Sequence, residues 1–435
     1  MANSVHLTTK VQNFLTAKGQ IRLFPSVDEI KSLKEAVNWQ LKKETDYPTR
    51  MTKELAHQYS AGIHVTDQRD IRHPKWEWKE TPMLRLDLSS YSYGENIWLK
   101  DESANRTGLF KERAGWEGVK PYKYFGESIL WQLKEGCLNG NVGEFPIPRM
   151  TIISSGNEIN AYSDFYLHYH LPPPKVLVDE TKFNQNPNFF MNLYADVYSA
   201  SLSNQLNGPQ IMALTNNTYG VNLTSFVGLE PREVFYDWMS YEIFNFNPKD
   251  GGSISGIFHS FFNKKKSLID SVYGPYGSGR LVECLFYHQN KAGDMRLGMR
   301  DWRLKANPHS VSMINIIGAS PEDSESSADM LVSSCRPFVL FKDAEVDIEG
   351  MKSQGRTGPR SGIYGVPEEY IRLAREFLEK PEKDNPAFKT SSNTAAALGL
   401  YLQDVDTGKI SRDAVVVIIN TGIDHTKDAP RPERP

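Results

Sequence analysis

Short, largely apolar runs alternate with longer helical patterns over most of this chain. Asn96–Lys100, Met150–Ile153, Val176–Val178, Ile269–Tyr273, Ile314–Ile317 and Val415–Ile419 have the pattern of buried strands. Tyr122–Lys134, Asn160–Tyr169, Glu368–Leu378 and Ala395–Leu402 repeat apolar positions at helical spacing. Strands separated by helices predict an α/β fold with mostly parallel sheets. Before Thr81 the texture differs. Ser26 and Glu29 have capping-box spacing, and Ile30, Leu33, Val37 and Leu41 then share one helical face. Asp46–Glu80 is polar and aromatic with little periodicity, as expected of a segment that wraps over a surface. Gly355–Gly365 reads as a flexible, Gly-rich connection. No internal repeat or low-complexity tract is visible. The expected organisation is an N-terminal extension over 1–80, an α/β unit over 81–260, a second over 261–428, and a tail over 429–435.

Composition narrows the classes. At roughly 150 residues per domain, 435 residues suggest two to three domains. Apolar residues make 39% and charged residues 24%, which excludes disorder throughout. Fifty Lys and Arg against 53 Asp and Glu give a net charge of −3, so no overall field draws the chain to nucleic acid or an acidic membrane. The N-terminus lacks the basic start and apolar run of a signal peptide. The longest aliphatic stretch, Ala414–Ile419, falls far short of the roughly 20 residues that span a bilayer. Cys137, Cys284 and Cys335 are scattered and odd in number, which fits a reducing cytosol better than a disulfide framework. A secreted protein with one unpaired cysteine is the alternative.

Four segments carry candidate chemistry. In Leu99–Arg113 (LKDESANRTGLFKER) a strand ends in a polar turn, and Lys111 follows Phe110 at an expected helix start. Desolvation and a helix's positive end favour a neutral amine, the form that makes a Schiff base; a solvated surface lysine is the plainer alternative. Ser154–Asn157 (SSGN) lies between a strand and a helix, where exposed main-chain N–H groups can receive an anion; a simple N-cap turn is the alternative. Gly274–Leu281 (GPYGSGRL) follows a strand and can wrap a phosphate with main-chain N–H groups, although it lacks the P-loop ending. A tight structural turn fits it equally well. Val415–Gly422 (VVVIINTG) delivers Asn420 and Thr421 at a strand's carboxyl end, where open α/β sheets bind ligands.

Together these segments resemble the fold-type II pyridoxal-phosphate enzymes, the tryptophan synthase β family. The resemblance rests on Thr81-Pro82-Met83, Leu99-Lys100-Asp101-Glu102, Asn105, Thr107-Gly108, Phe110-Lys111 and Arg113 at the family's spacing, then SSGN, the Gly-rich loop and a late threonine. It covers about residues 81–428. The ending TGIDHTKD and the run SSNTAAALGL look most like the threonine synthase branch, although cysteate synthase-like relatives share an N-x-TG ending.

The resemblance implies two open, twisted, mostly parallel-sheet domains with pyridoxal 5'-phosphate between their carboxyl ends. Lys111 would be joined to the cofactor as a Schiff base and would then shuttle the proton at the substrate Cα, beside Phe110. Asn157 would bond the ring hydroxyl oxygen. Ser154, Ser155 and Asn157 would meet the substrate, the serines and nearby N–H groups at its carboxylate. Gly277, Ser278, Gly279, Arg280 and Leu281 would cradle the phosphate, and Thr421 would face the pyridine nitrogen. A hydroxyl there leaves that nitrogen neutral, which suits elimination and replacement at the β or γ carbon. The implied activity is a lyase or synthase acting on an α-amino acid; O-phosphorylated or O-acylated serine or homoserine are the donors expected by analogy. A deaminating serine or threonine dehydratase, or a non-catalytic binding module, are the alternatives. A cytoplasmic homodimer is implied, with no metal, nucleic acid or membrane partner.

Several positions depart from the family pattern. Arg106 and Leu109 stand where Pro and Ser are usual, Glu112 replaces an Asp, Arg280 replaces a frequent Gly, and Glu158 and Ile159 replace a small residue after SSGN. Glu158 is expected to face solvent in a first helical turn, where it favours the helix dipole; facing the substrate, it would read an amine. The stretch GWEGVKPYKYFG after Arg113, with Pro121 and three glycines, is expected to interrupt the helix. His168 and His170 are two apart in an expected helix and point away from each other, which argues against a metal pair. Asp404, Asp406 and Gly408 read as a turn before the last strand.

Overall fold

The computed structural model describes residues 38–40, 48, 50–63, 80–138, 150–200, 221–222, 236–248, 269–286, 314–328 and 348–423, with 140, 142, 143, 145 and 147, apart from 155, 245, 247, 278, 280, 283, 323–325, 327 and 356. The capping box at Ser26 lies outside these residues. So do Ser155, Ser278 and Arg280.

Strand β1 (Asn38–Gln40) and helix α1 (Lys53–His57), which continues into a π turn over Gln58–Gly62, precede β2 (Met83–Leu86) and β3 (Ile97–Asp101). Then come α2 (Glu112–Lys134), β4 (Met150–Ile153), α3 (Asn157–His168), β5 (Lys175–Asp179), α4 (Glu180–Gln185), α5 (Pro187–Met191), β6 (Asp196–Ala200), β7 (Val221–Asn222) and α6 (Asp237–Phe244). The chain ends with β8 (Ser271–Pro275), β9 (Asn315–Pro321), α7 (Ile348–Ser353), β10 (Gly362–Val366), α8 (Glu368–Asp384), α9 (Ser392–Asp406) and β11 (Val416–Asn420).

These strands form two sheets. One has the order β1-β6-β5-β4-β7, the other β10-β9-β8-β11-β3-β2. Only β1 and β2, each at an edge, run antiparallel. Strands β3, β8 and β11 are buried along their whole length, as expected where helices cover both faces of a parallel sheet. Edge strand β10 alternates buried and open positions instead. Sequence order and sheet membership part ways at β2 and β3. They lie within 81–260, yet they belong to the sheet built from strands of 261–428, which β3 joins by pairing with β11. Ile30, Leu33, Val37 and Leu41, expected to share a helical face, lie outside the described residues; the short β1 between the last two adds antiparallel to β6.

The interruption expected after Arg113 is absent: α2 runs unbroken for 23 residues through Pro121. Its glycines serve close approach. A Cβ on Gly115 would lie 2.6 Å from the Phe165 ring, one on Gly118 would strike the Tyr162 ring, and one on Gly126 would lie 2.7 Å from the Ala56 carbonyl. The glycines thus let α3 and α1 pack directly on α2. Tyr166 Oη donates to the Gly118 carbonyl at 3.0 Å, and Tyr122 meets Tyr59 and Tyr166 edge-on at 5.9 and 5.8 Å.

The second core surrounds α9, whose Ala395, Ala396, Ala397 and Leu398 are fully buried. Gly399 admits the Tyr370 carbonyl of α8, a helix that buries Ile371, Ala374 and Leu378 on one face. The turn expected at Asp404–Gly408 begins later, because α9 continues to Asp406. Asp404 is buried there, accepting from Tyr273 Oη at 3.0 Å and pairing with Arg360 at 2.6 Å. That pair, with Thr357 Oγ1 donating to the Ile314 carbonyl at 3.2 Å, pins the Gly355–Gly365 segment expected to be flexible. Its last residues form β10.

Candidate active site

Strands β3, β11 and β8 are adjacent and parallel, roughly 4.8 Å apart. Their carboxyl ends therefore send three loops out side by side: Glu102–Lys111, Thr421–Ile423 and Tyr276–Leu281. In the other sheet, β4 ends at Ile153 and emits Ser154–Asn157 into α3. Open parallel sheets bind ligands at such edges.

Lys111 occupies the N-cap of α2, and its side chain is 23% exposed. The loop before it is sewn to the end of β11. Phe110 N donates to the Thr421 carbonyl at 3.3 Å, Ile423 N donates to the Gly108 carbonyl at 3.1 Å, and Leu109 bridges Gly422. Gly422 has φ +89°, and a Cβ there would collide with the Gly108 carbonyl, so glycine is required. Asn105 Nδ2 spans the loop, donating to Glu102 Oε2 and to the Leu109 carbonyl, both at 2.9 Å. Glu112 Oε2 accepts from Thr107 N at 2.6 Å.

Beneath the loop lies a closed cluster of four buried charges. Arg113 grips Glu102 through Nε and Nη2 at 2.7 and 2.8 Å, and Glu242 through Nη1 and Nη2 at 3.1 and 2.9 Å. Lys100 Nζ pairs with Glu242 at 2.5 Å and donates to the Thr81 carbonyl at 2.6 Å. Thr81 Oγ1 donates to Glu102 Oε1 at 2.7 Å. The paired side chains are 0–1% exposed. Burial alone would raise the Glu102 carboxyl, but the Arg113 charge and hydrogen bonds hold it below the usual carboxylate range. Burial would also lower the Arg113 pKa, yet its two carboxylate partners raise it. Thr81, Lys100, Glu102, Asn105 and Arg113, five motif residues, thus meet in one network that fixes the backbone under Lys111.

The sequence reading missed Glu242, which α6 delivers. The only signal was an acid flanked by Tyr241 and Ile243 in DWMSYEIF. Tyr236, just before α6, was missed too; its ring lies 5.1 Å from that of Phe110.

A second network holds β11. Asn420 Nδ2 donates to Asp101 Oδ1 at 2.9 Å and to the Lys389 carbonyl at 2.8 Å. Thr394 Oγ1, in the first turn of α9, donates to Asn420 Oδ1 at 2.9 Å and accepts from Thr421 N at 3.2 Å. Burial raises the Asp101 and Glu112 carboxyls despite these bonds. Thr421 is 4% exposed.

Across the cleft, Ser154 Oγ accepts from Gly156 N and Ile159 N at 3.1 and 3.3 Å, capping α3 and leaving its O–H to donate. Asn157 is buried at the first position of α3. Glu158 does not face solvent as expected. Its Oε2 lies 3.3 Å from Lys111 Nζ, with the side chain 19% exposed. The turn at Gly156 aims the first residues of α3 across the gap at the other sheet's loops. Arg106 crosses the same gap, pairing with Asp164 at 2.6 Å and lying 5.1 Å over the Phe165 ring. Gly277 is partly buried; Gly279, at φ +86°, and Leu281 are buried at the end of β8. Among the described residues, no group of three or more His, Cys, Asp or Glu could hold a metal, and no helix is long and apolar enough to cross a membrane.

No family model and no curated protein sequence matches the chain. Solved structures do. Diaminopropionate ammonia lyase from Escherichia coli, in complex with D-serine, superposes with a TM-score of 0.51 at 13% identity, over 90% of this chain and 95% of that one. The chain has the fold of that lyase. A pyridoxal 5'-phosphate-dependent aspartate racemase matches with a TM-score of 0.48 at 13% identity, over 80% and 92% of the two chains. The serine racemase of Dictyostelium discoideum matches with a TM-score of 0.45 at 17% identity, over 85% and 96%. The α/β, mostly parallel fold expected from the motifs is the one observed.

Proposed function

We propose that the protein is a pyridoxal 5'-phosphate-dependent lyase or synthase that eliminates or replaces a group at the β or γ carbon of an α-amino acid, of the threonine synthase-like or cysteine synthase-like kind. The observation that supports this is Lys111: a partly open amine where the carboxyl ends of two parallel sheets meet, its loop fixed from below by five motif residues. The surroundings fit the cofactor. Gly277 and the left-handed Gly279 add no side chain of their own to the loop that would hold the phosphate, and a Cβ on Gly279 would press on the Tyr276 ring at 3.1 Å. Ser391 Oγ, buried at the N-cap of α9 near Thr394 and Thr421, has no partner of its own and offers a further polar contact.

Lys111 would hold the cofactor, Asn157 would meet its ring oxygen, Thr421 its pyridine nitrogen, and the 277–281 loop its phosphate. When bound, the cofactor supplies the electron sink that makes the substrate Cα acidic. Lys111 Nζ moves the proton at that carbon. Ser154, Ser155 and main-chain N–H groups at the start of α3 orient the carboxylate. Thr421, a hydroxyl that stabilises no positive ring nitrogen, favours elimination and replacement over transamination.

The test is the visible spectrum of the purified protein after reconstitution with pyridoxal 5'-phosphate, with Lys111→Ala as control. The expected result is a visible band that is lost in the variant and shifts with an amino acid. Incorporation of an added thiol or amine into product would then separate replacement from simple deamination. A colourless protein that takes up no cofactor would overturn the reading.

A further inference from the structure

We propose that Glu158 makes this site select amino acids whose side chain carries a second, positively charged amino group. The proposal rests on the cofactor reading above. It starts from a carboxylate that is four-fifths removed from water, in the second position of α3, directly after the SSGN turn. An anion so largely desolvated requires a counter-charge. Among the described residues, the one cation within ion-pair distance of it is Lys111, at 3.3 Å. Arg106, which reaches across the same gap, is taken up by Asp164 and the Phe165 ring.

Lys111 is also the residue that would hold the cofactor. When the substrate's α-amino group displaces that nitrogen from the cofactor, Lys111 is released to take the Cα proton, which it can do only as the neutral amine, so Glu158 keeps an unmet need for positive charge. The substrate's α-amino group is consumed by the chemistry at Cα. The compensating charge must therefore come from the side chain. An ammonium on the β or γ carbon restores the pair; an uncharged side chain leaves the carboxylate unpaired; a phosphate or carboxylate side chain is repelled. Acidic donors, among them the O-phosphorylated serine or homoserine expected by analogy, are thereby selected against, which narrows the proposed function away from its threonine synthase-like form, and the pocket sorts substrates by the sign of one charge.

The experiment is a spectral titration of the full-length, cofactor-loaded protein with L-2,4-diaminobutanoate and with L-norvaline, its uncharged isostere, and with L-aspartate as the anionic probe. It is repeated for Glu158→Gln and Glu158→Asp. The wild type should bind the diamino acid at least tenfold more tightly than norvaline, the scale of one charge-assisted hydrogen bond, and aspartate most weakly. Glu158→Gln should bring the ratio of diamino acid to norvaline affinity down at least tenfold, whereas Glu158→Asp should retain a preference for the cation. Circular dichroism establishes that each variant is folded. Norvaline binding with no ammonium preference, or a preference that survives Glu158→Gln, would overturn this proposal and leave the cofactor reading standing. A protein that takes up no cofactor, or whose spectrum no amino acid alters, would overturn the cofactor reading itself.

Discussion

The cluster of Lys100, Glu102, Arg113 and Glu242 holds two positive and two negative charges, each shut away from solvent. Its balance makes Glu242→Gln an informative perturbation. The substitution preserves shape but leaves Lys100 and Arg113 with Glu102 as their one fully buried counter-charge, Glu80 acting on them only from the cluster's half-open edge. Removing one partner of a buried ion pair costs about 3–5 kcal/mol, a large part of the 5–15 kcal/mol typical of a folded protein. With an unfolding entropy of roughly 2 cal/mol/K per residue, a chain of 435 residues unfolding as one cooperative unit converts that loss into a Tm lower by about 3–6 °C. Lys100→Met alone leaves one uncompensated negative charge and should cost a similar amount. The double variant restores neutrality, so it should be at least about 2 kcal/mol more stable than the sum of the singles implies. Calorimetric melting of the four proteins measures the cycle. A Glu242→Gln protein melting within 1 °C of the wild type, or a double variant whose loss equals the sum, would refute the claim that charge balance governs this cluster.

Three further outcomes are expected. Burial raises the Glu112 carboxyl above its unfolded value, so Glu112 favours folding when protonated, and that contribution is lost as pH rises through its folded pKa. Glu112→Gln, which can still accept from Thr107 N, should therefore gain stability over the wild type at pH 7 and none at pH 3; an equal difference at both pH values would contradict this. Gly422→Ala meets a left-handed backbone that costs roughly 1–2 kcal/mol before any collision, and its methyl strikes the Gly108 carbonyl. It should lower both Tm and cofactor uptake, and uptake equal to wild type would show that the Lys111 loop does not depend on this contact. Leu398→Ala empties a fully buried position in α9 and should cost about 2–5 kcal/mol by urea unfolding.

Strand positions were legible because central parallel strands are apolar on both faces, and six of them announced themselves as short runs. The edges were not: β10 and β2 carry mixed patterns because one side stays open. Helix α2 was misread because glycine signals backbone freedom in a sequence, whereas here Gly115, Gly118 and Gly126 supply space for neighbouring chains. The motif residues were visible by spacing, yet not their reason, which needed Glu242 from a helix 129 residues beyond Arg113. Glu158 was misjudged because a first helical turn points to solvent only if nothing faces it. The loop of Lys111 faces it, and sequence alone does not give the distance between two sheets.

Strand β11 lies between β3 and β8, and its pairing with β3 joins positions separated by 319 residues. A ribosome releases β3 long before β11 exists. During that interval β3 has one paired neighbour, β2, and the loop of Lys111 has neither Thr421 nor Ile423 to bind. The loop of Lys111 thus gains its contacts with Thr421, Gly422 and Ile423 only once β11, the last of these strands to be made, pairs between β3 and β8. A chain truncated before Val416 would have Lys111 in its sequence but neither Asn420 nor Thr421 beside its loop. Such long-range closure is slow by its nature, and one wall of the pocket depends on a strand far in sequence from the residue it serves.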